Sequence, residues 1–153
     1  MPLTDLIAPT AVVPALKVNN KKQAIQTLAA RAAELTGLGE KAILEVLTQR
    51  EKLGSTAVGS GVAIPHGKLP KLNRVLGLFA RLAKPIDFEA MDGQPVDLIF
   101  LLLAPEGAGA DHLKALARVA RVLRDPEVAR KLRDASSADG IYAVLAMQPA
   151  SAA

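Results

Sequence analysis

Two short and nearly uninterrupted apolar runs, Val75–Leu82 and Leu98–Leu103, limit what this chain can fold into. A strand with one face in water alternates apolar and polar residues, whereas these runs are apolar at almost every position. They predict strands that are covered on both faces of a sheet. Segments with helical spacing of apolar residues precede and follow them. The order of helices, strands and helices predicts a single-domain α/β sandwich over residues 1–153, with helices on both faces of the sheet.

Two helices are predicted before the strands. The first runs from about Lys21 to Thr36, with Asn20 as its N-cap and Gly37 as its stop. The second runs from about Glu40 to Glu51. Their predicted inward residues recur at helical spacing and are Ile25, Leu28, Ala32 and Leu35 in the first helix and Ile43, Val46 and Leu47 in the second.

Three helices are predicted after the strands. Asp111 is expected to cap one, Asp125-Pro126 to begin the next, and Ser137 to cap a last helix that ends near Leu145. The predicted inward face of the helix after Asp111 consists of Leu113, Leu116, Ala117, Ala120 and Leu123. Its basic residues Lys114, Arg118 and Arg121, with Arg124 near, are interpreted as a solvated face, with a docking surface for an acidic partner or for nucleic acid as the alternative.

The remaining segments carry weaker signals. Residues 1–18 contain three prolines and are predicted to be an extended, partly ordered lead-in, and residues from about 148 to 153 a frayed tail. The Gly-rich stretch from about 54 to 68 predicts short β pieces joined by turns. Residues 85–96, with Asp92-Gly93 as a turn signal, are predicted to connect the two apolar strands.

Composition excludes several functional classes. The chain has no cysteine, so disulfides, zinc–thiolate sites and a cysteine nucleophile are excluded. Aromatic residues make up only 3%, which argues against stacking platforms for single-stranded nucleic acid. No signal peptide is evident, and the longest strongly apolar run, Leu98–Ala104, is too short to span a bilayer. We expect a cytoplasmic protein without membrane insertion, and we interpret the net charge of +4 mainly as solvated surface.

His66 is the strongest candidate for chemistry. It lies between Pro65, which fixes the backbone before it, and Gly67, which removes a side chain after it and leaves the ring open to a partner. A neutral imidazole has one unprotonated nitrogen that can attack phosphorus. We expect a backbone carbonyl to accept from the other nitrogen and so to fix the tautomer. A tight turn that needs Gly67 for its own sake is the alternative interpretation.

A phosphorylated histidine needs hydrogen-bond donors around it. Candidates from the sequence are Arg50, Ser55, Thr56, Lys68 and open backbone N–H groups such as that of Gly67. His112 lies where a helix is predicted to begin, a position that favours a bound anion and a neutral ring. Position alone leaves open whether His112 donates to phosphate or is a surface histidine in a capping turn.

Other motifs do not match. Gly61 to Lys68 imitates a phosphate-binding loop, but the glycine spacing is one residue too long and Leu69 replaces the residue that binds magnesium. The dinucleotide-binding fingerprint is incomplete, and the nucleophile elbow is absent. Two histidines without a helical pair argue against a dedicated metal site, so neither a metal nor a cofactor is expected.

The segments Arg50–Thr56 and Gly61–Leu69 resemble enzyme IIA of the fructose/mannitol class of the bacterial phosphotransferase system, and most closely its nitrogen-related branch. Residues 85–88, 94–98 and 111–123 continue the likeness, which covers about residues 3–147. Ala57, where the branch often has glycine, and the small Gly-rich segment 106–110 depart from the pattern.

The resemblance implies a mixed sheet of about five strands and phosphorylation of His66, with Arg50 and His112 lining the active site and Ser55 and Thr56 beside the phosphate. It also implies an HPr-like phosphocarrier (NPr) as the upstream partner, and regulated targets such as potassium-uptake proteins or sensor kinases. A sugar-specific subunit that donates to a IIB domain and a binding module that is never phosphorylated are alternative functions. A nucleic-acid binder ranks last.

Overall fold

The computed structural model describes residues 2–148. Within this range the helices are α1 (Lys21–Thr36), α2 (Glu40–Lys52), α3 (Ala110–Arg124), α4 (Pro126–Asp134) and α5 (Ala138–Ala146). The strands are β1 (Val12–Leu16), β2 (Ala57–Gly59), β3 (Val62–Ala63), β4 (His66–Leu69), β5 (Leu76–Ile86) and β6 (Val96–Pro105). Two short 3₁₀ helices, Leu3–Asp5 and Pro9–Ala11, precede β1. The predicted frayed tail lies almost wholly outside the described residues.

The strands form one mixed sheet with β6 near its centre. β5 runs antiparallel to one side of β6, while β3 and then β4 run parallel to its other side. β1 pairs in parallel with β5, and β2 pairs antiparallel with β3. The predicted α/β class and mixed sheet are confirmed, with six strands in the described part of the chain.

Strand β6 is buried along its centre, as its continuous apolar run predicts. Every residue from Leu98 to Ala104 is at most 1% exposed, although their side chains point alternately to the two faces. Both faces of the sheet are therefore covered. α1 packs against α2, and α4 packs against both α3 and α5. No helix within residues 2–148 is both long and apolar enough to cross a membrane.

Local capping signals predicted the helix ends well. α1 has the predicted bounds, the Asn20 Oδ1 accepts from the Gln23 N–H at 2.9 Å, and Gly37 ends the helix with φ of +74°. Asp125 and Ser137 likewise cap α4 and α5 through their side-chain oxygens. The prediction for Asp111 is wrong. Gly109 is the N-cap of α3, and Asp111 lies in its first turn.

The predicted inward face of α3 is correct only in part. Leu123 is buried, and Leu116 and Ala120 are half-buried and pack against the core, whereas Leu113 and Ala117 are exposed. The buried residues of α3 are His112, Ala115, Arg118, Val119, Val122 and Leu123. α3 thus has two apolar strips, and the strip that contains Ala115, Val119 and Val122 is the more deeply buried. Since Arg118 is buried, the predicted solvated basic face is interrupted.

Three further predictions need correction. The lead-in is not merely extended, because Leu3, Leu6 and Ile7 are buried and β1 joins the sheet edge. β1 and β5 are far apart in the sequence, so no local pattern predicts that they pair. The predicted connection 85–96 is shorter than expected, since Ile86 and Val96 are paired as the ends of β5 and β6. Leu35 in α1 is 40% exposed instead of buried.

Candidate active site

His66 is the first residue of β4, beside the central strand of the sheet. The carbonyl of Pro65 accepts from the N–H of Leu102 in β6 at 2.9 Å, and His66 itself pairs with Leu102. The backbone under the imidazole is therefore fixed by the sheet ladder. The ring itself is half-buried, so part of it stays accessible.

Both nitrogens of the His66 ring have hydrogen-bond partners. Nδ1 lies 2.8 Å from the carbonyl oxygen of Ile64, an arrangement in which Nδ1–H donates. Nε2 lies 3.2 Å from Nε of Arg50, whose N–H can only donate. Together these two contacts select the neutral tautomer with the proton on Nδ1 and a lone pair on Nε2. The expected carbonyl partner of the ring is thus present, and Nε2 is the nitrogen available for attack on phosphorus.

The electrostatic environment keeps this ring neutral. Burial lowers the pKa of His66 below its ordinary value of 6.5, and the cationic Arg50 lowers it further. The hydrogen bond to Ile64 and the carboxylate of Glu51 raise the pKa, but they do not reverse the shift. Near neutral pH the imidazole therefore retains its nucleophilic lone pair.

Arg50 reaches the site from the last turn of α2. Besides its contact with His66, its Nη1 donates to the carbonyl of Gly54 at 2.9 Å, just beyond the helix. These hydrogen bonds hold the guanidinium plane at the ring edge. Within the described residues they use two of the five guanidinium N–H groups, so other donors are left for phosphoryl oxygens.

His112 approaches from the first turn of α3. Its ring centroid lies 5.5 Å from that of His66, and the two rings are inclined by 70°. The side chain is only 6% exposed, and among residues 2–148 its Nε2 has no hydrogen-bond partner. Burial and the nearby His66 and Lys68 lower the pKa of His112. A buried and unpartnered ring nitrogen is costly, and it fits a group that gains its partner only when phosphate arrives.

Gly67 serves a packing role that the sequence did not reveal. It is a buried strand residue, and a Cβ at this position would lie 2.1 Å from Cγ1 of Val46 in α2. The missing side chain lets α2 approach β4 closely. Since α2 carries Arg50 and β4 carries His66, this approach brings the guanidinium to the ring. A tight turn does not explain the glycine.

Ser55 and Thr56 line the groove at His66, but their hydroxyl groups already have partners. The Ser55 hydroxyl donates to the carbonyl of Phe88 at 2.6 Å and accepts from the N–H of Ala57 at 3.1 Å. The Thr56 hydroxyl donates to the carboxylate of Glu51. In this structure both side chains position the loop, and phosphate binding by their hydroxyls stays a prediction.

Glu51 and Lys21 are site-supporting residues that the sequence reasoning missed. The Glu51 side chain is only 9% exposed, accepts from the Thr56 N–H at 3.1 Å and pairs with Nζ of Lys21 at 3.0 Å. Lys21 also lies 5.0 Å from the ring centre of Phe88, whose carbonyl accepts from Ser55. The only available signal was a charged residue next to Arg50 and just before a Gly-Ser-Thr turn.

Lys68 completes the set of predicted residues. It lies two positions after His66 in β4, so the two side chains share one face of the strand. Its side chain is exposed, and its charge contributes to lowering the pKa of His112. Lys68 thus adds positive potential near both rings. Phosphate binding by Lys68 and by the Gly67 N–H stays a prediction.

Known proteins are similar to this chain in sequence and in fold. A nitrogen regulatory protein of Bradyrhizobium diazoefficiens is 73% identical over 153 residues, which is all of both chains. A fructose-specific EIIA component of Haloferax volcanii is 38% identical and covers 82% of each chain. The crystal structure of nitrogen regulatory protein IIA-Ntr from Neisseria meningitidis superposes with a TM-score of 0.88 at 35% identity, over 94% of this chain and 98% of that one.

The family model of the phosphoenolpyruvate-dependent sugar phosphotransferase system, EIIA 2, matches residues 5–147. This match covers β1, strand β4 with His66, and the helices α2 and α3 that carry Arg50 and His112. The resemblance seen in the sequence segments is therefore confirmed over nearly the whole chain. The chain belongs to the type-2 enzyme IIA family of the phosphotransferase system.

Proposed function

We propose that this protein carries a phosphoryl group on Nε2 of His66 and accepts it from an HPr-like phosphocarrier (NPr). The observation that supports this most directly is the fixed tautomer. The Ile64 carbonyl accepts a hydrogen bond from Nδ1–H, and the only hydrogen bond of Nε2 within the described residues comes from the Arg50 N–H, a donor that a phosphoryl oxygen can attract away. A histidine held only for packing has no need of this arrangement.

The transfer balances without an added base. The lone pair of Nε2 attacks phosphorus roughly in line with the P–N bond of the donor phosphohistidine, which breaks as the new P–N bond forms. His66 has no proton to lose at Nε2, and its Nδ1–H stays on the ring, hydrogen-bonded to the Ile64 carbonyl, while the electron pair of the broken P–N bond returns to the donor nitrogen. Arg50 and His112 stabilise the charge on the equatorial oxygens, and no metal is required. Because a phosphohistidine is both donor and product, transfer runs in either direction.

We place the protein in the cytoplasm, in the nitrogen-related branch of the phosphotransferase system. Its phosphorylation state regulates target proteins such as potassium-uptake proteins or sensor kinases. Support comes from the relative with 73% identity over its full length, which is named a nitrogen regulatory protein. The residues from 1 to 153 form one enzyme IIA domain in this proposal, consistent with the family match over residues 5–147.

A sugar-specific subunit is the second candidate function. The fructose-specific relative covers most of this chain and would use the same phosphohistidine. The two functions differ in the acceptor, because a sugar-specific subunit passes its phosphoryl group to a IIB domain. Its lower identity, 38% against 73%, favours the nitrogen-related function. A never-phosphorylated binding module is less consistent with an intact Arg50–His66 contact.

Intact mass measurement tests the proposal. The purified protein is incubated with phosphoenolpyruvate, enzyme I and the HPr-like carrier, in parallel with His66→Ala and His112→Gln. We expect one added phosphate on the parent protein, lost in acid and stable in base, no phosphate on His66→Ala, and slower uptake by His112→Gln. Phosphate uptake by His66→Ala would disprove the assignment. No uptake by the parent protein with an active donor pair would indicate a binding module.

A further inference from the structure

We propose that Glu51 is a positioning residue that holds the imidazole of His66 in the tautomer with a lone pair on Nε2. It acts through two buried residues, Thr56 and Ile64. This inference rests on the function proposed above, because it concerns the same nucleophile. Glu51 and Arg50 are neighbours in the last turn of α2. Arg50 contacts Nε2 of the ring directly, whereas Glu51 reaches the Nδ1 side through the backbone.

A series of hydrogen bonds joins the Glu51 carboxylate to the imidazole. One carboxylate oxygen of Glu51 accepts from the N–H of Thr56 at 3.1 Å, and the other accepts from the Thr56 hydroxyl. The carbonyl of Thr56 accepts from the N–H of Ile64 at 3.0 Å, and the carbonyl of Ile64 lies 2.8 Å from Nδ1 of His66. A displacement of Thr56 therefore moves the acceptor that selects the tautomer of the ring.

The Glu51 carboxylate is held in place by Lys21, in the first turn of α1. Nζ of Lys21 lies 3.0 Å from the same carboxylate oxygen that accepts from the Thr56 N–H. An ion pair that is largely buried contributes little net stability, because the loss of hydration offsets the attraction. Stability alone therefore does not account for this pair. Its geometry, with each carboxylate oxygen bonded to Thr56, fits a role in fixing the position of that residue.

Glu51 also acts on the ring through its charge. Burial makes the largest contribution to the pKa of His66 and lowers it, whereas the hydrogen bond to Ile64 and the Glu51 carboxylate raise it. Removal of Glu51 would take away one of the two opposing effects and weaken the other, since the Ile64 carbonyl would no longer be held in place. Glu51 thus keeps Nε2 more basic, and hence more nucleophilic, than burial and Arg50 alone would leave it.

Replacing the ion pair by apolar side chains of similar length tests the inference. The double variant Lys21→Met, Glu51→Met removes both charges and the carboxylate acceptors. Such a replacement of a buried pair is often neutral or stabilising, so the fold should survive. Lys22→Met, Glu45→Met is the matched control, since both residues are exposed and lie on the same two helices. For each protein, ring ¹⁵N spectra of unphosphorylated His66 are recorded above its pKa, and kcat and KM are measured for phosphoryl transfer from the HPr-like carrier.

We expect the control to keep the proton on Nδ1, as in the parent protein. In Lys21→Met, Glu51→Met the spectra should show the tautomer with the proton on Nε2 in part of the molecules. The kcat of this variant should fall about tenfold, because a small displacement of a nucleophile slows its reaction. KM for the carrier should change less than about twofold, since the pair acts on the nucleophile and not on binding. An unchanged tautomer together with a kcat equal to that of the control would overturn the proposal.

The reversed pair separates positioning from a purely structural role. Lys21→Glu, Glu51→Lys restores the attraction but places an ammonium group opposite the Thr56 N–H, so we expect the tautomer and kcat to stay impaired. Recovery of both would make the ion pair structural and overturn the proposal. Should the apolar variant not fold, Glu51→Gln keeps the shape of the side chain and removes its charge. It should lower kcat and the pKa of His66, and no change in either would refute the positioning role. No phosphorylation of the parent protein by an active carrier would instead count against the proposed function, while the ring spectra still report on positioning.

Discussion

The two sides of the candidate active site are built by different means. On the β4 side, a chain of hydrogen bonds runs from the Ile64 carbonyl through the His66 ring to Arg50 and the Gly54 carbonyl. On the α3 side, His112 is held by packing, and its Nε2 has no partner within the described residues. In the function proposed above, the β4 side would prepare the nucleophile in advance, while the α3 side would be completed by the incoming phosphoryl group.

This difference has an energetic cause. A buried polar nitrogen without a hydrogen bond costs about 1–3 kcal/mol, a cost that a phosphoryl oxygen can remove. An unpaired donor in a site that is largely shielded from water can stabilise negative charge as it develops, because the donor does not first have to break another hydrogen bond. Arg50, by contrast, would have to give up its hydrogen bond to His66 Nε2 when that nitrogen is phosphorylated. The two donors therefore make unequal contributions, which the following variants measure.

The largest effect is expected for Arg50→Gln. Removing a charged donor from the site should slow phosphoryl transfer from the carrier by about 10²-fold without abolishing it. Arg50→Lys keeps the charge but loses the fixed planar fork, so it should restore only part of the rate. Stopped-flow or quench-flow labelling of His66 provides the measurement. A rate equal to that of the parent protein would show that the β4 side does not depend on the guanidinium.

Gly67→Ala should disturb the β4 side through packing. The new Cβ would overlap Cγ1 of Val46, so we expect the free energy of unfolding to fall by about 1–3 kcal/mol and transfer to slow as Arg50 moves away. Gly107→Ala is the control, because a Cβ there meets nothing within 4 Å. Denaturant melts give the stability. Val46→Ala combined with Gly67→Ala should recover part of the lost stability. If Gly67→Ala leaves the free energy of unfolding unchanged, the close approach of α2 to β4 at Gly67 is disproved.

His112→Gln tests the α3 side and should have a smaller effect. The Gln amide can still donate but is not held in place as the ring is, so one neutral hydrogen bond is weakened, and a cost of about 1.4 kcal/mol corresponds to a roughly tenfold slower transfer. The ring ¹⁵N signals of His112 in the parent protein should shift on phosphorylation of His66, because Nε2 then gains a partner. Unchanged signals together with an unchanged rate for His112→Gln would make His112 a core histidine.

The smallest effect is a change in pKa. Burial and then Arg50 lower the pKa of His66, so removing the guanidinium in Arg50→Gln should raise that pKa toward, but not to, its ordinary value of 6.5. NMR titration of the ring protons measures the pKa of His66.

Since both histidine pKa values are lowered on folding, the unfolded chain binds more protons, and the free energy of unfolding should decrease as pH falls through and below 6.5. Stability that increases toward low pH in this window would contradict the shifts.

Sequence reasoning performed differently in the two halves of the site. Pro65-His66-Gly67 and Arg50 lie in recognisable segments, so both were proposed before the fold was known. His112 stayed ambiguous on position alone, because a helix start says nothing about which ring lies opposite. Glu51 was missed since a charged residue in the last turn of a helix is ordinarily solvated. Only the packing of α1 against α2 brings Lys21 to it.

The sequence by itself determined the features that depend on a few neighbouring residues. Caps at Asn20, Asp125 and Ser137 define helix ends because the oxygen and the N–H that it accepts from are two or three residues apart. The burial of β6 follows from its continuous apolar run. Tertiary structure alone decided that β1 joins β5, that Gly67 admits Val46, and which strip of α3 faces the sheet. These outcomes depend on partners distant in sequence, and a helix with two apolar strips carries no local signal of which one the core will accept.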